Sequence, residues 1–133
     1  MLKRSIFYGF LLSICLGQNS LPFEIDVRPR VLENEKVIVT VQITSFVDQA
    51  VAFLEGFLEE KTGTGHLLQE KRLILIYDYE PSLFHGASIA KSEIFSLNKT
   101  HPNQYEFKIS KVRFRGDKRL FTWHPKSGFI RID

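Results

Sequence analysis

Apolar and polar residues alternate along most of this chain, and alternation of period two is the signature of strands with one face buried. Phe23, Ile25 and Val27 alternate with Glu24, Asp26 and Arg28, and Pro29 then confines that segment to an edge or a strand end. Past Glu33-Asn34-Glu35, which suits a turn, Val37, Val39, Val41 and Ile43 share one face while Thr40, Gln42 and Thr44 occupy the other. The run Leu73-Ile74-Leu75-Ile76 is apolar on both faces and predicts a central, well-covered strand continuing to Tyr79. Further strands are expected at Ile94 to Leu97, Tyr105 to Phe114, Leu120 to Trp123 and Phe129 to Ile132, divided by turn-forming stretches at 98–103, Gly116-Asp117 and Pro125 to Gly128.

One of these strands changes phase. Tyr105, Phe107 and Ile109 share a face, but Val112 and Phe114 fall on the opposite parity, so a β-bulge near Ser110-Lys111 is needed to bring both sets to one core. Residues 46–61 admit two readings. Val47, Ala50, Val51, Leu54, Phe57 and Leu58 recur at helical spacing, with Ser45 and Asp48 able to cap the start and Gly63 the end. As a strand, the same stretch places Ala52, Leu54, Gly56 and Leu58 on one face and returns through Thr62-Gly63-Thr64-Gly65 as a hairpin. Gly56 costs a helix about 1 kcal/mol relative to alanine, so the balance favours the hairpin. The fold class expected is therefore all-β, an antiparallel β-sandwich of about seven or eight strands, with α+β as the alternative if 46–61 is helical.

Val37-Ile38-Val39-Thr40-Val41-Gln42-Ile43 and Tyr105-Glu106-Phe107-Lys108-Ile109 are similar to the second and sixth strands of an immunoglobulin-like sandwich. Residues 23–132 thus resemble, in architecture, the immunoglobulin-like domains of secreted and cell-envelope proteins. The Cys, Trp and Cys spacing of antibody-type domains is absent. What the resemblance implies is a binding or assembly module.

The first seventeen residues read differently from the rest: Lys3 and Arg4 precede an apolar run from Ile6 to Leu16, the layout of an export signal. That run is shorter than the roughly 20 residues needed to cross a bilayer as a helix. Cleavage after Gly17 would release a soluble domain of residues 18–133, whereas Leu12-Ser13-Ile14-Cys15 resembles a bacterial lipobox and makes Cys15 a candidate lipidation site. Ile14 departs from the small residue that pattern normally carries. Cys15 is the only cysteine, so disulfides cannot hold the mature domain together and its stability must come from its core. About 115 residues suffice to bury roughly two thirds of the unfolded surface.

Without Lys3 and Arg4 the basic side chains number 16 against 15 acidic ones, which removes the compositional support for nucleic-acid binding. The charge is uneven: residues 18–103 hold eight basic and twelve acidic side chains, and 104–133 hold eight and three. The basic segment reads first as solvated strand faces, with an anionic partner as the functional alternative.

Motifs with chemistry are sparse. His66, His85, His101 and His124 are isolated, without a metalloprotease spacing, and no serine sits in a nucleophile elbow. Asp78 with Glu80, and Glu59, Glu60 and Glu70 across the expected hairpin, lack the loop spacing of a calcium site. Tyr77 and Tyr79 continue the face of Leu73 and Leu75 and are expected inside, while Trp123 could be core or a carbohydrate platform. Arg115-Gly116-Asp117 is similar to the Arg-Gly-Asp sequence recognised by animal integrins, and makes Arg115, Gly116 and Asp117 candidate partner contacts. Asn98-Lys99-Thr100 is a glycosylation sequon, relevant if a eukaryote secretes the chain. Residues 80–90 show no period and form the expected longest loop, suited to a contact surface. The reading is an exported, non-catalytic module without cofactor or metal, acting on a protein partner of the envelope or extracellular space, with no nucleic acid and with membrane contact only through a lipid anchor at Cys15. The alternatives are a surface adhesin using Arg115-Gly116-Asp117 and a small hydrolase whose site is invisible in sequence.

Overall fold

The structure, a computed structural model, describes residues 21–33, 35–97 and 103–133. The described residues form eight strands: β1 Phe23–Leu32, β2 Lys36–Ser45, β3 Val51–Lys61, β4 Leu67–Ile76, β5 Ser88–Ser96, β6 Gln104–Phe114, β7 Phe121–His124 and β8 Gly128–Arg131. They make two antiparallel sheets, one of three strands in the order β1-β2-β5 and one of five in the order β4-β3-β6-β7-β8. The fold is an all-β sandwich, and the helical reading of 46–61 does not hold. Val51 onward extends because both neighbours of β3, namely β4 and β6, pair along nearly its whole length.

The alternating residues Val37, Val39, Val41 and Ile43 of β2 are buried against Leu54 and Leu58 of β3 and Phe107, Ile109 and Val112 of β6, within one core. Gly56 is required at the centre of β3. A Cβ there would collide with the Phe107 ring and with the carbonyl oxygen of Lys108, so the absence of a side chain is what lets the ring lie across the strand.

Four irregularities adjust the second sheet, one of them beside the β3–β4 turn, where Leu68 is extra between Leu67, opposite Lys61, and Gln69, opposite Glu60. Ser110 is the extra residue between Ile109, opposite Gly56, and Lys111, opposite Glu55, and so supplies the bulge that the phase change of β6 requires. Leu75 is extra between Ile74, opposite Glu55, and Ile76, opposite Leu54. Ala52 is extra between Val51, opposite Phe114, and Phe53, opposite Arg113.

The Leu75 bulge corrects one expectation. The run Leu73 to Ile76 belongs to an edge strand, and it is continuously apolar because the bulge lets Leu75 and Ile76 both be buried. The strand also stops at Ile76. A turn follows, closed by Glu80, whose N–H donates to the Tyr77 carbonyl (2.9 Å) and whose carboxylate accepts from the Tyr77 N–H (2.8 Å). Tyr77 and Tyr79 therefore leave the core and stack on each other at 5.1 Å, with Tyr79 81% exposed. Trp123 is buried, edge-on to Phe23 at 5.5 Å.

β5 begins at Ser88, so the irregular loop is 77–87. The alternation of β5 is hard to read because Lys91 and Glu93 occupy inward positions between Ile89 and Phe95. Both are used to close one side of the sandwich. Lys91 pairs with Glu80 at 2.8 Å, and Lys71 of β4 reaches across the sheets to the Ile94 carbonyl (2.5 Å) and toward Glu93 (4.0 Å). Hydroxyl pairs Thr40–Ser92 (2.8 Å) and Thr44–Ser88 (2.6 Å) then fix β5 to β2 on the outer face.

Candidate functional site

The other side of the sandwich is built differently. β6 is paired with β3 over its full length, but its opposite edge meets β7 at one pair, Val112 with Phe121. Beyond that pair β7 turns away to form its hairpin with β8, whose rings close over the end of the core: Phe129 lies 5.9 Å from Phe23 and 5.4 Å from Phe114. The divergence starts beside the Ser110 bulge, and a bulge bends and twists its strand. Pro125, which has no N–H to donate, follows His124 and ends β7.

A cleft of about 350 Å³ opens where the two strands part. Glu106, Phe107, Lys108 and Ile109 of β6 form one wall, Thr122, Trp123, His124 and Pro125 the other, and Ile25 of β1 closes the floor. Phe107, Ile109 and Trp123 are core residues, so the cleft reaches the apolar interior from the side. Alternate residues of an antiparallel strand aim their N–H and C=O groups at opposite neighbours. Hence, among the described residues, the β6 groups between Gln104 and Ile109 that point away from β3 face the cleft without a paired strand. The rim is polar: Glu106 pairs with Lys61 at 2.8 Å, which holds its carboxyl below the ordinary range, and Lys108 lies 3.3 Å from Glu59. His124 accepts a hydrogen bond at Nδ1 from the Lys126 N–H (3.2 Å). No carboxylate engages its ring among the described residues.

Arg115, Gly116 and Asp117 form a turn between β6 and β7 at one end of the sandwich, with Gly116 at φ 80°. Arg115 is exposed and its guanidinium stacks over Phe84 at 5.9 Å. Asp117 is turned back on Arg119, accepting from its N–H (2.9 Å), Nε (3.0 Å) and Nη2 (2.8 Å). Those bonds, the side-chain ones first, lower the Asp117 pKa to about 2. The arginine and carboxylate of this motif therefore present differently, one free and one already bound.

The remaining candidates are dispersed. Asp78 pairs with Arg113, and Glu80 with Lys91. Glu59 faces Glu70 across β3 and β4, but Glu60 lies on the other face, where it accepts from Gln69 (3.0 Å), Asn103 (3.1 Å) and the Tyr105 hydroxyl (2.8 Å). Burial, together with that carboxylate, pushes the Tyr105 pKa well above its ordinary value. Among the described residues no three His, Cys, Asp or Glu side chains are grouped to hold a metal ion. Cys15, the export signal expected over residues 1–17, the Asn98 sequon and His101 lie outside the described residues.

Sequence reasoning found the bulge but not the cleft. Ile25, Phe107 and Ile109 read as ordinary core positions and Trp123 as either core or a carbohydrate platform, and the signal available was indirect: a phase change at Ser110 opposite a strand that Pro125 cuts short. No family model and no curated protein matches this chain.

Proposed function

We propose that the chain is an exported, non-catalytic binding module that acts by protein–protein contact, accepting an extended segment of its partner as an added strand along β6. The observation that carries this reading is the edge of β6 from Gln104 to Ile109, unpaired beside an apolar cleft. Strand addition gains affinity from main-chain hydrogen bonds and specificity from pockets for alternate side chains, and both are available here. An open edge next to core residues is also a liability that closed sandwiches avoid, which favours a use for it.

The strand order supports an immunoglobulin-like assignment. β1-β2-β5 matches the A-B-E side of such sandwiches and β3-β6-β7 the C-F-G side, with β4 as an extra strand beside β3. In that frame β7 stands where the last strand would cover β6, and it covers only the Val112 end.

The test is a photo-crosslinking amino acid placed at Thr122 in the cleft wall, and separately at Thr40 on the outer face of β2, in cells that express the chain. A defined adduct from position 122 and none from 40 is the expected outcome. Adducts from neither position, or equally from both, contradict the reading.

A further inference from the structure

At the end of the sandwich where β1 begins, three connections lie together: 46–50, 77–87 and 115–120. Backbone bonds pin them to one another. Phe46 N–H donates to the Pro22 carbonyl (2.7 Å), Gly86 N–H to that of Ser45 (2.6 Å) and Arg115 N–H to that of Ala50 (2.8 Å). On this fixed platform large apolar side chains stand in solvent: Leu21 is 51%, Phe46 44% and Phe84 55% exposed. His85 packs edge-on to Phe46 at 6.1 Å, and Arg115 lies over Phe84.

The charges of the same end sort into neutral pairs and unpaired groups, of which cations outnumber acids two to one. Arg113 is taken by Asp78 and Arg119 by Asp117. Among the described residues no carboxylate lies in salt-bridge range of the exposed Arg115 and Lys118, and Asp48 is an exposed acid of that end. Aromatic rings interleaved with cations on a rigid rim are what the interface of an anionic bilayer accommodates: rings at the level of the headgroups, cations on the phosphates. The exposed leucines of the far end, Leu67 and Leu68, have no such free cation beside them in the ladder, because Lys61, opposite Leu67, is held by Glu59 (3.4 Å) and Glu106 (2.8 Å).

The chain enters the domain at this end. Twenty residues precede Leu21 and include the apolar run Ile6 to Leu16, and the six Cα-to-Cα steps from Cys15 to Leu21 span at most about 20 Å fully extended. Any hold of that run on a membrane keeps Leu21, and with it the rim of Phe46 and Phe84, close to the bilayer, within the roughly 20 Å reach of that connection. We infer that this loop end docks on an anionic phospholipid bilayer, with Leu21, Phe46 and Phe84 at the headgroup level and Arg115 and Lys118 on lipid phosphates. The contact orients the sandwich with its axis away from the membrane and leaves the β6 cleft open to a partner.

The test uses the full chain carrying Cys15→Ser and a single new cysteine bearing a polarity-sensitive fluorophore. The label sits either at His85 (His85→Cys), within the rim, or at Ser127 (Ser127→Cys), in the β7–β8 turn, separated from the rim loop 115–120 by the length of β7. Vesicles of phosphatidylcholine with an equal part of phosphatidylglycerol are compared with phosphatidylcholine alone. The expected result is a blue shift at position 85 with the anionic vesicles, absent at position 127, weaker with phosphatidylcholine, and lost when Arg115→Glu and Lys118→Glu are combined. Chain that floats with the vesicles while the label at 85 stays unshifted shows that the leader alone holds it, and overturns the inference. Equal shifts at both labels, equal shifts with both vesicle types, or no association at all overturn it as well.

Discussion

Two single residues show how local chemistry decides structure here. Gly56 is the position where the Phe107 ring and the Lys108 carbonyl occupy the space of a Cβ, so Gly56→Ala forces a shift in the middle of β3. Overpacking of this kind costs about 1–3 kcal/mol, and the expected lowering of the denaturant midpoint at unchanged slope measures it. Asp117 provides a pH signature. Its pKa is lowered to about 2 by its bonds to Arg119, so its contribution is present above the ordinary carboxylate range and is lost as the pH falls from about 4 toward 2. Thermal melts of the parent and of Asp117→Asn are expected to differ above that window and to converge below it. A difference that persists unchanged below pH 2 would mean that the carboxylate is not held by Arg119.

At the level of the strands, the pattern of one chain segment was legible where a single face decides it and obscure where the fold uses both faces. β2 was plain because Val37, Val39, Val41 and Ile43 meet the core without interruption. The hairpin of β3 and β4 was readable from Gly56 and the loop of two glycines. β5 was not fully readable, since Lys91 and Glu93 face inward and hold the two sheets together, so a polar residue stands where alternation expects an apolar one. The edge position of β4 was missed for the converse reason: a bulge at Leu75 buries two successive residues and imitates a central strand. Ser110 was found because its bulge leaves a trace in parity. Its deletion leaves Ile109, Val112 and Phe114 in a single alternation, which allows β6 to straighten and β7 to pair further along it. The expected outcome in the deletion variant is new cross-strand Hα contacts by NMR between Lys111 and Thr122 and between Ile109 and Trp123. A folded variant without them would show that the bulge is not what separates the strands.

Taken whole, the molecule is a sandwich closed on one side by charged side chains and open on the other at a strand edge. The closed side uses Lys71 with Glu93 to tie β4 to β5, and Glu80 with Lys91 to tie the loop after β4 to β5. The open side joins β6 to β7 at Val112 and Phe121, and the β7–β8 hairpin caps the core end with Trp123 and Phe129. That asymmetry was out of reach of the sequence, because it depends on which strands become neighbours. The candidate contacts Arg115, Gly116 and Asp117 were visible as a motif, whereas the cleft emerges only when Ile25, Phe107 and Trp123, distant in sequence, come together. The account rests on β6 having a free edge, and amide hydrogen exchange on the isolated chain examines that edge residue by residue. The expected result is alternation between Gln104 and Ile109, with slow exchange at amides aimed at β3 and fast exchange at those aimed at the cleft. Uniformly slow exchange along all of β6 would mean that its edge is already paired, leaving a partner strand no place to join, and would contradict the account.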